Sequence, residues 1–244
     1  MKYYLKVILL LIMSTPTLAQ SNFKTYQLTF ERVRQAYDAK WSTLQKELAQ
    51  EQITGKFSMY IAAYKAEQRL EIWLKQNTQK QYKLFKVYPF CSLSGILGPK
   101  LKEGDLQTPE GFYHIAAFNP KSNFHLSLGI NYPNSIDLLR SATEKPGNHI
   151  YIHGNCVTVG CIPITDEKIK EVYILAIEAR NAGQNKIPVH IFPFKITETN
   201  LNNRLVTFPQ HRVFWTNLQQ GYAYFEKHKQ VPEVTELKST YLFK

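Results

Sequence analysis

The chain is short of most things that would specialise it. Its 244 residues include only 11 glycines and 12 prolines, and it has no internal repeat and no low-complexity tract. What remains is ordinary globular composition: 44% hydrophobic, 20% charged and 13% aromatic, enough for a real core. One main domain with an appended helical segment is expected. Long apolar runs are missing too. The longest, Val7 to Met13, falls far short of the ~20 residues of a membrane-spanning helix. Three cysteines and no CxxC pair fit none of the common zinc patterns, and an odd count leaves at least one thiol unpaired.

Acidic residues are also scarce, 19 against 30 Lys and Arg, for a formal charge of +11. Lys2 and Lys6 precede the apolar run, and Pro16 and the small residues of Thr17-Leu18-Ala19 follow it. This is the pattern of a secretory signal peptide cut after Ala19. Residues 1–19 are therefore expected to be an export signal, and the mature protein is expected in the periplasm or cell envelope. No cysteine follows the cut, so no lipid anchor is expected there. Loss of the two lysines brings the charge to +9. A basic balance often signals nucleic acid, but no motif interleaves basic and aromatic residues. The polyanions an exported protein meets first are lipid head groups and cell-wall carboxylates, so no nucleic-acid partner is expected.

From Tyr26, the apolar residues Phe30, Val33, Tyr37, Trp41, Leu44 and Leu48 recur at steps of three and four. They mark one face of a long helix, within an N-terminal helical segment at 20–55. After Gly55 the period becomes two. Strands are expected at FSMYIAAYK, RLEIWLKQ, YKLFKVYPF, GFYHIAAF, FHLSLGINYP, NHIYIH and IPVHIFPF. The Gly-, Pro- and Lys-rich stretch from Ser94 to Pro109 must be a loop. TDEKIKEVYILAIEARNAG reads as a helix capped at Thr165, with Asp166 and Glu167 in its first turn and Gly183 after its end. The main domain is expected at 56–196. A helical extension is expected at 197–244, with Phe214, Leu218 and Tyr222 on one helix face.

The stretch IYIHGNCVTVGCIPITD, residues 150–166, concentrates the reactive side chains. A metal would need His149, His153, Cys156 and Cys161 together. In one strand the two histidines would face the same way about 13 Å apart, too far for a single ion. A disulfide could join Cys156 to Cys161, with Cys91 buried and inert at the end of its strand. A catalytic thiol needs a base within reach and N–H groups for the oxyanion. His153 ends a strand before Gly154. Cys161 follows Gly160, which lets the backbone bend so that the N–H groups of Gly160 and Cys161 face one point. Cys161 is then the better nucleophile. A satisfied core histidine beside an inert thiol is the plain alternative.

His153-Gly154, followed by Val159-Gly160-Cys161, resembles the signature of the YkuD-type L,D-transpeptidases, a family of peptidoglycan enzymes. The blocks SGILGPKLKEGDLQTPEGFY, SLGINYPNSID, PGNHIYIHGNCVTVGC and IPVHIFPF carry the similarity from Phe57 to Phe194. Val159 stands where the family usually has a histidine, and the His-Gly to Cys spacing is shorter than in most members. The resemblance implies a mainly β protein with helices (α+β): a curved β-sandwich with one inserted helix, flanked here by the N- and C-terminal helices. It implies no cofactor and no metal, and peptidoglycan stem peptides as partners. It implies Cys161 as nucleophile, His153 as proton acceptor and donor, and Gly160 as a backbone oxyanion donor. Tyr132, Gly154 and the Thr108–Gly111 segment would line the cleft, and Lys100, Lys102 or Arg140 could hold stem carboxylates. The family's thiolate attacks the amide between diaminopimelate and the terminal D-alanine of a tetrapeptide stem, and the acyl group passes to an amine. Water in place of the amine gives a hydrolase, an outcome associated with a branch that frees a wall-linked lipoprotein. A wall-binding protein with a Cys156–Cys161 disulfide is the non-catalytic alternative.

Overall fold

Alternation along the first strands decides the architecture. In β1 (Phe57–Tyr64) the odd residues Met59, Ile61 and Ala63 enter one hydrophobic core, and the even residues Tyr60, Ala62 and Tyr64 enter another. A strand buried on both faces needs a helical layer on each side. The protein, described here over residues 23–244 in a computed structural model, provides both. The two cores hold the sheet between the segments that precede and follow the main domain.

The other strands of this sheet are β2 (Arg69–Gln76), β3 (Lys83–Pro89), β4 (Gly111–Asn119), β5 (Ser127–Ile130), β6 (Tyr151–His153), β7 (Ile162–Pro163) and β8 (Pro188–Phe192). They form one mixed sheet in the order β3-β2-β1-β8-β4-β5-β6-β7. The β1–β8 and β6–β7 pairs are parallel and the others antiparallel. β4 pairs with β8 through Gly111–His114 and with β5 through Ile115–Asn119, and a register shift lies between Ile115 and Ala117. Such a shift bends a strand and increases its twist. The sheet accordingly curls into a half-barrel, with β6 and β7 at its far edge.

On the first face lie α1 (Glu31–Gln50), preceded by a helical turn at 23–27, and α3 (Asp166–Asn181). Val33, Ala36, Leu44 and Leu48 of α1 are buried, and Phe30, Tyr37 and Trp41 pack against the same core. α3 buries Ile169, Val172, Tyr173 and Ala176. The chain turns into α3 at Thr165 as expected, but the Thr165 side chain makes no capping bond.

On the second face lie α4 (Glu198–Thr207) and α5 (Arg212–His228), which bury Leu201, Leu205, Phe214, Trp215, Leu218 and Phe225. The extension is not wholly helical. Its end is a hairpin of β9 (Val234–Leu237) and β10 (Thr240–Phe243) that buries Tyr241, and the exposed alternation of this short segment gave no strand signal.

A second inserted helix, α2 (Ser135–Ser141), was not legible because of its length. It exists through its cap. The Asn134 side chain accepts from the Ile136 and Asp137 N–H groups, and the Asp137 carboxylate accepts from the Asn134 N–H. Asn134 Nδ2 also donates to Tyr241 Oη at 2.8 Å, tying the hairpin to the main domain. The expected export signal lies outside the described residues. Asn134→Ala should lower stability by about 1–2 kcal/mol in urea unfolding; an unchanged midpoint would show that neither the cap nor the hairpin tie contributes.

Candidate active site

β6 and β7 pair in parallel with Ile152 opposite Ile162 and His153 opposite Pro163. Ile152 and Ile162 are buried in the core, so their strand neighbours turn away from it. In this register Cys161 stands beside Tyr151. The Tyr151 N–H points at Cys161 Sγ at 3.4 Å, and the thiol faces the His149 carbonyl at 3.6 Å. His153 is two residues further along β6, about 7 Å of strand. His149 is not part of that strand: with φ at 61° it breaks the extended run, which therefore starts only at Tyr151.

His153 is 1% exposed. Its Nδ1 lies 2.5 Å from the Gly154 carbonyl oxygen. A carbonyl only accepts, so Nδ1 carries the proton and Nε2 is left with a free lone pair. Phe124 covers the ring, with centroids 4.7 Å apart. The Phe124 loop is held in turn by Arg32 of α1, which donates to the Ser122 and His125 carbonyls. Burial pushes the imidazole pKa down, against a smaller opposing effect of the Gly154 bond. Burial pushes the Cys161 thiol up, partly offset by the Tyr151 N–H and the charge of Lys100. Both shifts favour the uncharged form, of the thiol and of the imidazole.

The return from β6 to β7 is tightly knotted. A side chain at Gly154 would meet Asp166 Oδ1 at 2.5 Å and the Phe124 carbonyl oxygen at 2.9 Å. Asp166 Oδ1 accepts from the Asn155 N–H at 2.7 Å. Thr158 Oγ1 donates to the Cys161 carbonyl and accepts from the Gly160 N–H at 3.2 Å. Gly160 has φ of 133°, and a Cβ there would lie 2.8 Å from the Gln107 carbonyl oxygen. It is needed for conformation and close approach. The N–H expected to face an oxyanion is already given to Thr158. Phe124, Thr158 and Gln107 act through these contacts alone and left no mark in the residue spacing.

One expectation and one alternative about the cysteines are corrected. Cys91 is not an inert buried thiol, and Cys156 does not pair with Cys161. Cys91 and Cys156 form a disulfide with a Cα–Cα distance of 5.2 Å, and Cys161 is free. The reason is the curl of the fold: the Cys91 N–H donates to the Pro163 carbonyl at 3.0 Å, which brings the chain leaving β3 beside β7, at the base of the loop that carries Cys156.

Lys100 is near enough to lower the Cys161 pKa. Its ammonium is bonded to Asp105 Oδ1 at 2.6 Å and to the Lys102 carbonyl at 2.9 Å. Arg140 lies elsewhere, with its guanidinium 3.6 Å above the Phe214 ring of α5 and its Nε without a hydrogen-bond acceptor. Tyr132 is buried against Tyr113 and donates to the Pro146 carbonyl at 3.0 Å. Among the described residues no group of three or more His, Cys, Asp or Glu could hold a metal ion.

A free cysteine and a buried histidine with an oriented ring stand at the β6–β7 edge of a curled mixed sheet. Residues 58–191 match the L,D-transpeptidase catalytic domain family YkuD, and the chain belongs to it. It is 33% identical over 186 residues to "Putative L,D-transpeptidase YafK" of Escherichia coli, spanning 75% of this chain and 73% of that relative. Among solved structures it is similar to the helical cell shape determining protein Pgp2 from Campylobacter jejuni (18% identity, 74% of this chain and 73% of that one, TM-score 0.44). It is also similar to Bd1075 of Bdellovibrio bacteriovorus (21% identity, 74% and 78%, TM-score 0.40).

Thiol titration of the native, unreduced protein should find one reactive group, and none in Cys161→Ala; two or more would contradict the Cys91–Cys156 bond. Replacing both Cys91 and Cys156 by Ser should cost about 4 kcal/mol of unfolding free energy, the loop-closure value for their separation of 65 residues.

Proposed function

We propose that the protein is an exported cysteine acyltransferase that cuts the diaminopimelate–D-alanine bond of tetrapeptide stems in peptidoglycan and passes the acyl group to an amine. The observation that carries this reading is that Cys161, the one free thiol among the described residues, and His153, with its Nε2 unprotonated, share the β6–β7 edge inside the matched family domain. The Cys91–Cys156 disulfide supports an oxidising compartment and hence export to the periplasm or envelope.

The chemistry of the two groups suits base-assisted attack. His153 Nε2 takes the Cys161 proton as the sulfur adds to the carbonyl carbon. The C–N bond then breaks, and the imidazolium returns the proton to the departing D-alanine amine. A thioester remains on Cys161. An incoming amine attacks it, gives up a proton to His153 and restores the thiol. Backbone N–H groups of the 159–161 turn support the oxyanion once the long Thr158 bond to Gly160 is exchanged for the substrate oxygen. No stage of this sequence needs a cofactor. The diaminopimelate-linked acceptor would approach along the edge formed by β6 and β7; with water in its place, the same site could free a wall-linked lipoprotein as the departing amine.

Cys161→Ala should abolish turnover of tetrapeptide muropeptides. His153→Ala should reduce it by about 10²-fold or more while the protein stays folded. Chromatography of the products reads both, and full activity in either variant would remove its residue from the assigned role. Cross-linked dimers establish transfer to an amine, and trimmed monomers alone establish hydrolysis. Only neutral His153 can act as base, and burial sets its pKa below the ordinary 6.5. Activity should therefore persist below pH 6.5 and fall as pH drops through that lowered value. An acid limb above 6.5 would contradict the assignment.

A further inference from the structure

Between β3 and β4 the chain from Gly98 to Thr108 leaves the sheet and returns, and one buried ammonium closes its neck. Lys65, just past β1 and 1% exposed, donates to the Gly98 carbonyl at 2.8 Å, the Thr108 carbonyl at 2.9 Å and Glu110 Oε1 at 2.9 Å. Those three bonds use every proton the ammonium has. Glu110, with no exposed surface, accepts from the Gly98 N–H at 2.7 Å through the same oxygen. Its second oxygen accepts from Trp215 Nε1 of α5 at 2.8 Å. Gly98 also lies under His211 at the start of α5: a Cβ there would be 2.6 Å from His211 Nε2.

The far part of this loop is organised separately. Asp105 accepts from Lys100 Nζ and from the Leu101, Lys102 and Gln107 N–H groups. Burial alone would raise its pKa, but these donors hold it below the ordinary carboxylate range. The loop is thus a stiff Ω-shaped strap, closed at the neck by Lys65 and within by Asp105. Its body packs on the turn that carries the proposed nucleophile, and its charge is felt there. The Gln107 carbonyl oxygen packs on Gly160, and the Lys100 charge acts on Cys161.

We propose that Lys65, Glu110 and Trp215 are positioning residues through which the C-terminal extension fixes the strap, and with it Lys100 and Gln107, against the Cys161 turn. A buried ion pair contributes little net stability compared with apolar packing, but it specifies one arrangement when every partner is satisfied. Here the last partner, the indole N–H, comes from outside the matched family domain. Without it, Glu110 would hold an unpartnered buried oxygen. This makes the extension part of the active-site framework, and the assignment rests on Cys161 being the nucleophile as proposed above.

The test compares Trp215→Phe and Glu110→Gln in the full chain with Val213→Ala, an exposed change on the same helix. Three readouts are followed: amide hydrogen exchange, the pH dependence of Cys161 alkylation by iodoacetamide, and kcat and KM on tetrapeptide muropeptides. In Trp215→Phe, exchange over 98–108 should accelerate about tenfold or more, as for the loss of one hydrogen bond to a charged group. The alkylation midpoint should move up as Lys100 is released. kcat should fall about tenfold or more with a smaller change in KM. Glu110→Gln should act in the same direction and Val213→Ala should change nothing. Folded variants with parental exchange and alkylation would overturn the proposal. So would equal acceleration in β1 and α3, since the effect would then be global stability. Exchange and alkylation need no turnover, so they judge the strap even if the parent protein leaves muropeptides untouched, a result that would count against the proposed reaction instead.

Discussion

Adjacent parallel strands normally require a crossover of a dozen or more residues, yet β6 and β7 are joined by residues 154–161 alone. That constraint shapes the rest of the site. The chain must reverse and return at close quarters, so it uses Gly154 where Asp166 and Phe124 leave no room for a Cβ, Asn155 at φ 63°, and Gly160 at φ 133°. Thr158 knots the turn from within, and the Cys91–Cys156 bond holds it from outside. The same compression sets Cys161 beside Tyr151 and leaves it as the free thiol.

The two flanking segments brace this turn from opposite faces of the sheet. α1 sends Arg32 to the loop whose Phe124 covers His153. α5 sends Trp215 to the Glu110–Lys65 pair at the neck of the strap that meets Gly160. The curl at β4 makes both routes short, because it brings the far edge of the sheet back towards the helices. Burial then gives the site its electrostatics. It lowers the His153 pKa and raises that of the Cys161 thiol, so both shifts favour the uncharged forms.

Much of this was legible in the residues. Period-two alternation located β1, β2, β3, β4 and β8, and a 3.6-residue stripe located α1, α3 and α5, because those segments are long enough for burial to impose a pattern. The Gly, Pro and Lys content of 94–109 marked the strap as a loop. What stayed hidden depends on contacts between distant residues. α2 rests on a single capping box, and β9 and β10 are short and mostly exposed. The Cys91–Cys156 pairing follows from the approach of the chain after β3 to β7, which no spacing encodes. Lys100 and Arg140 looked equivalent as carboxylate clamps, but one is committed to Asp105 near the thiol and the other stacks on Phe214. Charge can be read from sequence, whereas the partner that neutralises it cannot.

The central claim is that Cys161 carries the acyl group. Intact-mass spectrometry of the disulfide-bonded protein, quenched in acid during turnover of a tetrapeptide muropeptide and followed by peptide mapping, tests it most directly. The account predicts an adduct equal to the muropeptide less D-alanine, on the peptide containing Cys161, with Cys91 and Cys156 still linked. An adduct on any other residue, or product formation by a protein whose Cys161 has been fully alkylated beforehand, would contradict it.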